Sequence, residues 1–175
     1  MFSNFDLTIL VYNFIDILSH ANTEIEVLRE LADNDFAYRS VIVSWFKHSY
    51  LYELLKNLSV QNFYIILTTD HGSIRVNNPI KVIGDRKTSV NLRYKTGKNL
   101  QYNPKEVFEI SDPHSIHLPK SSISSKYIFA CSNDFFAYPN NYNYYVSYYR
   151  NTYQHGGISM EEMIIPFAIL LPKNQ

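Results

Sequence analysis

Two short runs of apolar and β-branched residues, Leu7-Thr8-Ile9-Leu10-Val11-Tyr12 and Phe63-Tyr64-Ile65-Ile66-Leu67, bracket a stretch in which apolar residues recur at helical spacing. An apolar run without polar alternation is the pattern of a strand covered on both faces. Strand, helices, strand predicts a crossover between parallel strands, because parallel neighbours need a long connection that packs back over the sheet. Sheets of that kind gather functional groups beyond the carboxyl ends of their strands. The chain is therefore expected to be α/β, with its chemistry just past Tyr12 and just past Leu67. Asp16 and Asp70 lie at those two places.

Between the two runs, Thr23-x-x-Glu26 has the form of a capping box that starts a helix with Ile25, Leu28, Leu31 and Ala32 on one face. Asp33-Asn34-Asp35 ends that helix. Helical spacing then continues from Phe36 to Leu58, with a break near Ser49 and a core-facing stripe of Leu51, Leu54, Leu55 and Leu58. Residues 73–126 carry repeated turn signals such as Asn77-Asn78-Pro79, Gly84-Asp85 and Asn103-Pro104. This region reads as an insertion or cap of short strands, with one short helix near residues 105–108. Residues 127–130 and 135–138 are expected to form a hairpin, and 142–149 a tyrosine-rich helix. Ser159-x-x-Glu162 is a second capping box, and residues 164–171 form a closing strand whose Pro166 marks an edge or a bulge.

The 175 residues suit one domain or a piece of one. Hydrophobic residues make up 46% and charged residues 18%, below the ~25% charge usual in soluble proteins, so the chain must bury much of itself or cover a neighbour. Sixteen basic side chains balance sixteen acidic ones, which leaves no general field for the backbone of duplex DNA. Cys131 stands alone, which excludes an internal disulfide and a cysteine zinc site; it is expected to be a small buried hydrophobe. No run approaches the ~20 apolar residues of a membrane span, and no signal peptide opens the chain, so no membrane partner is expected and the compartment reads as cytoplasmic.

Three short pieces bring carboxylates and imidazoles to turns: Asp16-x-x-x-His20, Asp70-His71-Gly72 and His155-Gly156-Gly157. Singly, each has an ordinary explanation as a cap, a turn or a loop histidine. Jointly they place ligand types at three separate strand ends. On a helix Asp16 and His20 stand about 6 Å apart along the axis and can converge on one ion. Mixed oxygen and nitrogen donors suit zinc or manganese better than calcium. Five such donors exceed the complement of one catalytic zinc but fit two ions ~3.5–4 Å apart, the arrangement that serves phosphoryl transfer. A phosphate ester is the substrate class that follows. His48, His114 and His117 match no ligand motif.

The order Asp-x-x-x-His, then Asp-His after a strand, then a late His before glycine resembles the alkaline phosphatase superfamily. Four longer stretches narrow this: Val11 to His20, Thr68 to Gly72, Tyr94-Lys95-Thr96-Gly97-Lys98-Asn99-Leu100, and Tyr153 to Glu162. Their wording is similar to the PglZ domain of PorX-like response regulators, nearly from end to end of the chain. The resemblance implies an alkaline-phosphatase-like, mixed and mainly parallel sheet flanked by helices, lacking the N-terminal part of the fold, so that residues 1–175 are the C-terminal portion of a PglZ domain. It assigns Asp16, His20 and His155 to one zinc and Asp70 and His71 to a second. It also expects a further aspartate and a threonine or serine nucleophile from an upstream segment with no counterpart here. Thr68, Thr69 and Thr152 do not match that nucleophile's motif. The fragment alone is therefore expected to be inactive and to hold at most one ion.

Arg75, Arg86, Arg93, Lys95 and Lys98, with Tyr94 and Tyr102 among them, form a locally basic stretch. It reads either as a solvated face or as a surface for the phosphates of a short oligonucleotide. The resemblance favours phosphodiester or short oligonucleotide substrates, with Arg75 as the substrate contact. The competing class is a non-catalytic regulatory module whose exposed sheet edge accommodates a homodimer or a partner protein.

Overall fold

The computed structural model describes residues 5–120 and 122–173. Four helices come first: α1 (Phe14–Glu24), α2 (Glu26–Leu31), α3 (Asp35–Lys47) and α4 (Tyr50–Ser59). The boundaries of α3 and α4 are set by side-chain caps. The Ala37 amide donates to Asn34 Oδ1 at 3.0 Å and the Tyr52 amide to Ser49 Oγ at 3.2 Å, each satisfying an amide that the helix itself leaves without a partner. The break expected near Ser49 is thus present. The capping box expected at Thr23 is not: Thr23 lies inside α1 and its hydroxyl donates to the Ser19 carbonyl one turn back. The leucine stripe of α4 is only half covered, and no residue of that helix is fully buried.

Nine short strands follow: β1 (Ile65–Thr68), β2 (Ile74–Val76), β3 (Asn78–Lys81), β4 (Tyr94–Gly97), β5 (Val107–Ile110), β6 (Lys126–Ala130), β7 (Asp134–Ala137), β8 (Thr152–Gln154) and β9 (Phe167–Leu170). Two further helices, α5 (Tyr142–Tyr149) and α6 (Met160–Met163), lie between β7 and β8 and between β8 and β9. The α/β class holds, as helices with several small sheets. Within that class the pairing differs from the mainly parallel arrangement expected. Among the described residues only β3 and β7 run parallel; β1–β9, β2–β8 and the β4–β6–β5 sheet are antiparallel.

The reason for that difference begins at residues 7–12. They form no strand and stand in the open, with Leu7 76% and Ile9 79% exposed. A strand exists only where a ladder partner takes its backbone groups. With no pairing at residues 7–12, the helical crossover joins no two parallel strands, and β1 pairs with the late strand β9 instead. Two local expectations also change. Residues 107–110, near the expected short helix, are β5, whose β-branched and aromatic residues are taken up by β6. Strands β6 and β7 are consecutive but form no hairpin, because β6 is already paired on both edges and β7 goes to β3. Cys131, in the turn between them, is exposed rather than buried.

The best-buried apolar residues lie in the middle of the chain: Ile80, Val82, Leu100, Ile128, Ala130 and Phe136 in one cluster and Val76, Phe135 and Ala137 in another. These clusters combine residues from the stretch 73–126 with residues of β6 and β7 that follow it. A third cluster of Leu18, Ala32, Tyr38 and Tyr153 joins α1 and α3 to β8, with the Tyr38 and Tyr153 rings stacked at 4.0 Å and the Tyr153 hydroxyl donating to Asp35 Oδ1 at 2.5 Å. This contact fixes α3 against the late strand β8. Among the described residues no helix is long and apolar enough to cross a membrane.

Candidate metal centre

The antiparallel ribbon of β2 and β8 pairs Ile74 with Gln154. The loop entering β2 and the loop leaving β8 therefore lie at the same end of the ribbon. The first carries His71 and the second His155, and their rings stack at 3.9 Å with planes 11° apart. Helix α1 packs against β8 and brings Asp16, in its first turn, to the same place. One ligand atom from each of Asp16, His71 and His155 falls within 4.8 Å of the other two. Asp16 Oδ1 lies 3.7 Å from His155 Nε2 and 3.7 Å from His20 Nε2. Asp70 Oδ1 lies 3.8 Å from His71 Nε2. The five residues singled out in the sequence thus gather at one rim. His71 stands with Asp16 and His155, whereas the resemblance groups it with Asp70.

The loops are held by close backbone contacts. The Gly72 amide donates to the Glu162 carbonyl at 2.8 Å, and a Cβ at Gly72 would stand 2.0 Å from the Glu161 carbonyl oxygen. Gly156 has φ +99°, a region that glycine enters without penalty, and a Cβ there would stand 2.8 Å from Asn91 Nδ2. That Asn91 amide donates to the His155 carbonyl at 3.3 Å. Beneath the loop, Glu162 and Arg93 are buried together. Arg93 Nε donates to Oε1 at 2.9 Å and Nη2 to Oε2 at 2.8 Å. The same carboxylate accepts from the Gly157 amide at 2.8 Å, the Ser159 amide at 3.2 Å and the Ser159 hydroxyl at 2.7 Å, completing the expected capping box of α6.

Electrostatics suit these groups to hold a cation. Burial, then His71, pushes the His155 pKa down against the pull of Asp16, which keeps its imidazole neutral and its lone pair available. Hydrogen bonding from its own amide, then the neighbouring His71, holds the Asp70 carboxyl below its ordinary value, so it is ionised. His71 Nδ1–H donates to the Gly72 carbonyl at 3.0 Å, leaving the lone pair on Nε2. A backbone carbonyl that fixes the tautomer in this way is the usual partner of a metal-ligating imidazole. For Glu162 burial works to raise the pKa, but hydrogen bonds from Arg93 and Ser159 outweigh it and the pKa is lowered. Oxygen and nitrogen donors in this proportion fit a divalent metal ion.

The remaining basic residues separate. Arg75 lies on β2 opposite Tyr153; its guanidinium donates to the Asn151 carbonyl at 3.2 Å and to the Asp33 carbonyl, and it lines a cavity that includes none of the five ligand-type residues. Arg93 and Lys95 are neither a solvated face nor a phosphate surface, since both are almost fully buried. Lys95 donates to the Ser89 carbonyl at 2.9 Å and stands 4.5 Å over the Tyr138 ring. The sequence reading found the box residue Glu162 but missed its partner Arg93 and the loop brace Asn91. Nothing local signals either pairing, since both partners are far away along the chain.

Compared with known proteins, residues 2–169 match the family model described as the BREX system PglZ alkaline phosphatase-like domain. No curated protein matches the chain.

Proposed function

The chain belongs to the PglZ family of alkaline phosphatase-like domains, and on that premise we propose that it is the metal-holding portion of a zinc-dependent phosphoesterase acting on phosphodiesters such as short oligonucleotides. The observation that carries this reading is the convergence of Asp16, His71 and His155 within 4.8 Å, with His20 and Asp70 beside them. The two-component setting, as the effector of a response regulator, follows the wording of the four motifs alone.

A divalent ion held by these residues would polarise the phosphoryl oxygens and ease deprotonation of the attacking hydroxyl or water. The chain's own residues prepare that chemistry. Asp16 supplies a carboxylate between two imidazoles, His155 is kept neutral, and His71 presents one fixed nitrogen. Asp70, exposed and ionised, adds negative charge at the open side. The threonine hydroxyls nearest in sequence are occupied: Thr68 donates to the Pro166 carbonyl, Thr69 to that of His71 and Thr152 to that of Tyr149. We therefore assign the nucleophile, as the resemblance does, to a segment N-terminal to Asp16.

The test is metal analysis of the zinc-loaded chain, followed by hydrolysis of a chromogenic phosphodiester by a protein that joins the nucleophile-bearing segment to this one. Zinc-dependent turnover lost in Asp16→Ala supports the reading; a complete protein with bound zinc and no turnover refutes it. A second reading, a regulatory module that contacts another protein, is favoured by the apolar side chains left open at residues 7–12 and on β9. Alanine at Asp70 and His71 separates the two, because an interaction module that stays folded keeps its partner.

A further inference from the structure

A cavity of about 600 Å³ opens between α2, β2 and α5, and three guanidinium groups line it: Arg29, Arg75 and Arg150. The ion pairs among the described residues engage Arg93, Lys56, Lys120 and Lys126, but none of these three. Asp33 lines the same cavity, yet its carboxylate accepts from its neighbour Asn34 at 2.6 Å and forms no ion pair. With three guanidinium groups against the one carboxylate of Asp33 the wall carries a net positive charge, which favours an entering anion. The arginines are also incompletely satisfied. Arg29 Nη2 donates to the Thr23 carbonyl, but its Nε is buried without a partner. Arg75 uses Nε and Nη2 on two carbonyls, which fixes its plane. Asn143 and Ser147 on α5 add neutral polar groups to the wall.

We propose that this cavity is a phosphate-binding site, separate from the metal centre, in which Arg29, Arg75 and Arg150 hold a phosphate group. Guanidinium forks match phosphate oxygens with paired hydrogen bonds, and Arg is the residue best suited to such planar recognition. The site lies along the ribbon that carries the metal centre. Tyr153, the cross-strand partner of Arg75, is two residues before His155, about 7 Å along an extended strand. A substrate with a second phosphate would then be held at one end of β2–β8 while its scissile ester lies at the other. The cavity stands on the arginines alone; its service to hydrolysis rests on the proposed function.

The test uses the full chain stripped of metal over a chelating resin, so that the metal centre cannot report. Inorganic phosphate and a 5′-phosphorylated dinucleotide are titrated calorimetrically. Saturable, salt-sensitive binding is expected, weakened at least tenfold in Arg150→Gln and in Arg29→Gln and unchanged in His48→Ala, an exposed histidine outside the cavity. Tighter binding of the dinucleotide than of phosphate identifies a nucleic-acid phosphate; equal binding identifies free phosphate. Absence of saturable binding to either probe, with the melting curve of the chain intact, overturns the inference and leaves arginines that only complement the negative ends of α2 and α5. So does binding that survives both arginine substitutions or is lost equally in His48→Ala. Zinc-dependent turnover is read in a different experiment, so either proposal can fail without the other.

Discussion

Arg93 and Glu162 form a two-pronged ion pair, 2.9 and 2.8 Å, that is shut off from solvent directly beneath the His155 loop. The guanidinium also donates to the carbonyls of Ser132 and Asp134, and the carboxylate also accepts from three donors of the Gly157–Ser159 turn. The pair thus ties the turn after β6 to the loop that carries a candidate ligand. Burying two charges is costly, and only full satisfaction of both makes the arrangement stable.

Removing one partner should therefore be severe. Glu162→Gln leaves Arg93 buried without its counter-charge and is expected to cost about 3–5 kcal/mol of folding stability. In molecules that remain folded, zinc affinity should fall on the order of 10–100-fold, because the loop holding His155 loses its brace. Urea denaturation and a zinc titration measure the two effects. A variant as stable as the parent would show that the pair contributes nothing.

Substitution at the rim should affect metal without affecting the fold. Asp16→Ala, His71→Ala and His155→Ala are each expected to reduce zinc binding at least tenfold, with a stability change within about 1 kcal/mol for the exposed Asp16. His48→Ala, an exposed histidine on the far end of α3, serves as the control and should bind as the parent does. Equal zinc binding in all four variants would remove the metal centre.

Gly72 should admit no side chain. Its Cβ would stand 2.0 Å from the Glu161 carbonyl oxygen, a backbone atom that cannot turn away. Gly72→Ala is expected to cost about 1–3 kcal/mol as α6 is pushed from the entry to β2. Thermal melting reads this loss, and an unchanged midpoint would contradict the close approach.

Lys95 gives a pH dependence with a definite sign. Burial pushes its pKa down from 10.5 to about 8. Below about 8 the ammonium is charged in both folded and unfolded chains, and the folded state carries the whole burial penalty. Between about 8 and 10.5 the folded chain releases the proton while the unfolded chain keeps it, so stability from this residue rises with pH. Lys95→Met is expected to be more stable than the parent at pH ~7 by on the order of 2 kcal/mol, with the gap narrowing by pH ~9.5. Denaturant midpoints at both values test it; a gap that is the same at both, or that widens, would be the wrong result.

The capping box of α6 and the break before α4 were legible because Ser159 and Ser49 act within three residues of themselves. The ligand types were legible for a similar reason: Asp-x-x-x-His, Asp-His and His-Gly-Gly are short pieces with their own chemistry. The buried strand at residues 7–12 was misread because apolar composition records a tendency to be covered, while a strand exists only when another segment takes its hydrogen bonds. Arg93 and Lys95 were misread in the opposite direction, since their charge suggested water and their burial depends on Glu162, Ser89 and Tyr138.

By itself, then, the amino-acid order determined the start of α6, the break between α3 and α4, and the kinds of donor atoms the protein can offer. Only the tertiary structure decided that Asp16, from the first helix, meets His71 and His155 across the β2–β8 ribbon. It also decided which basic groups face one another around a cavity and which are paired within the core. Hydrogen bonds and caps act over a few residues of chain, whereas convergence depends on strand pairing and core packing between segments that no local pattern links.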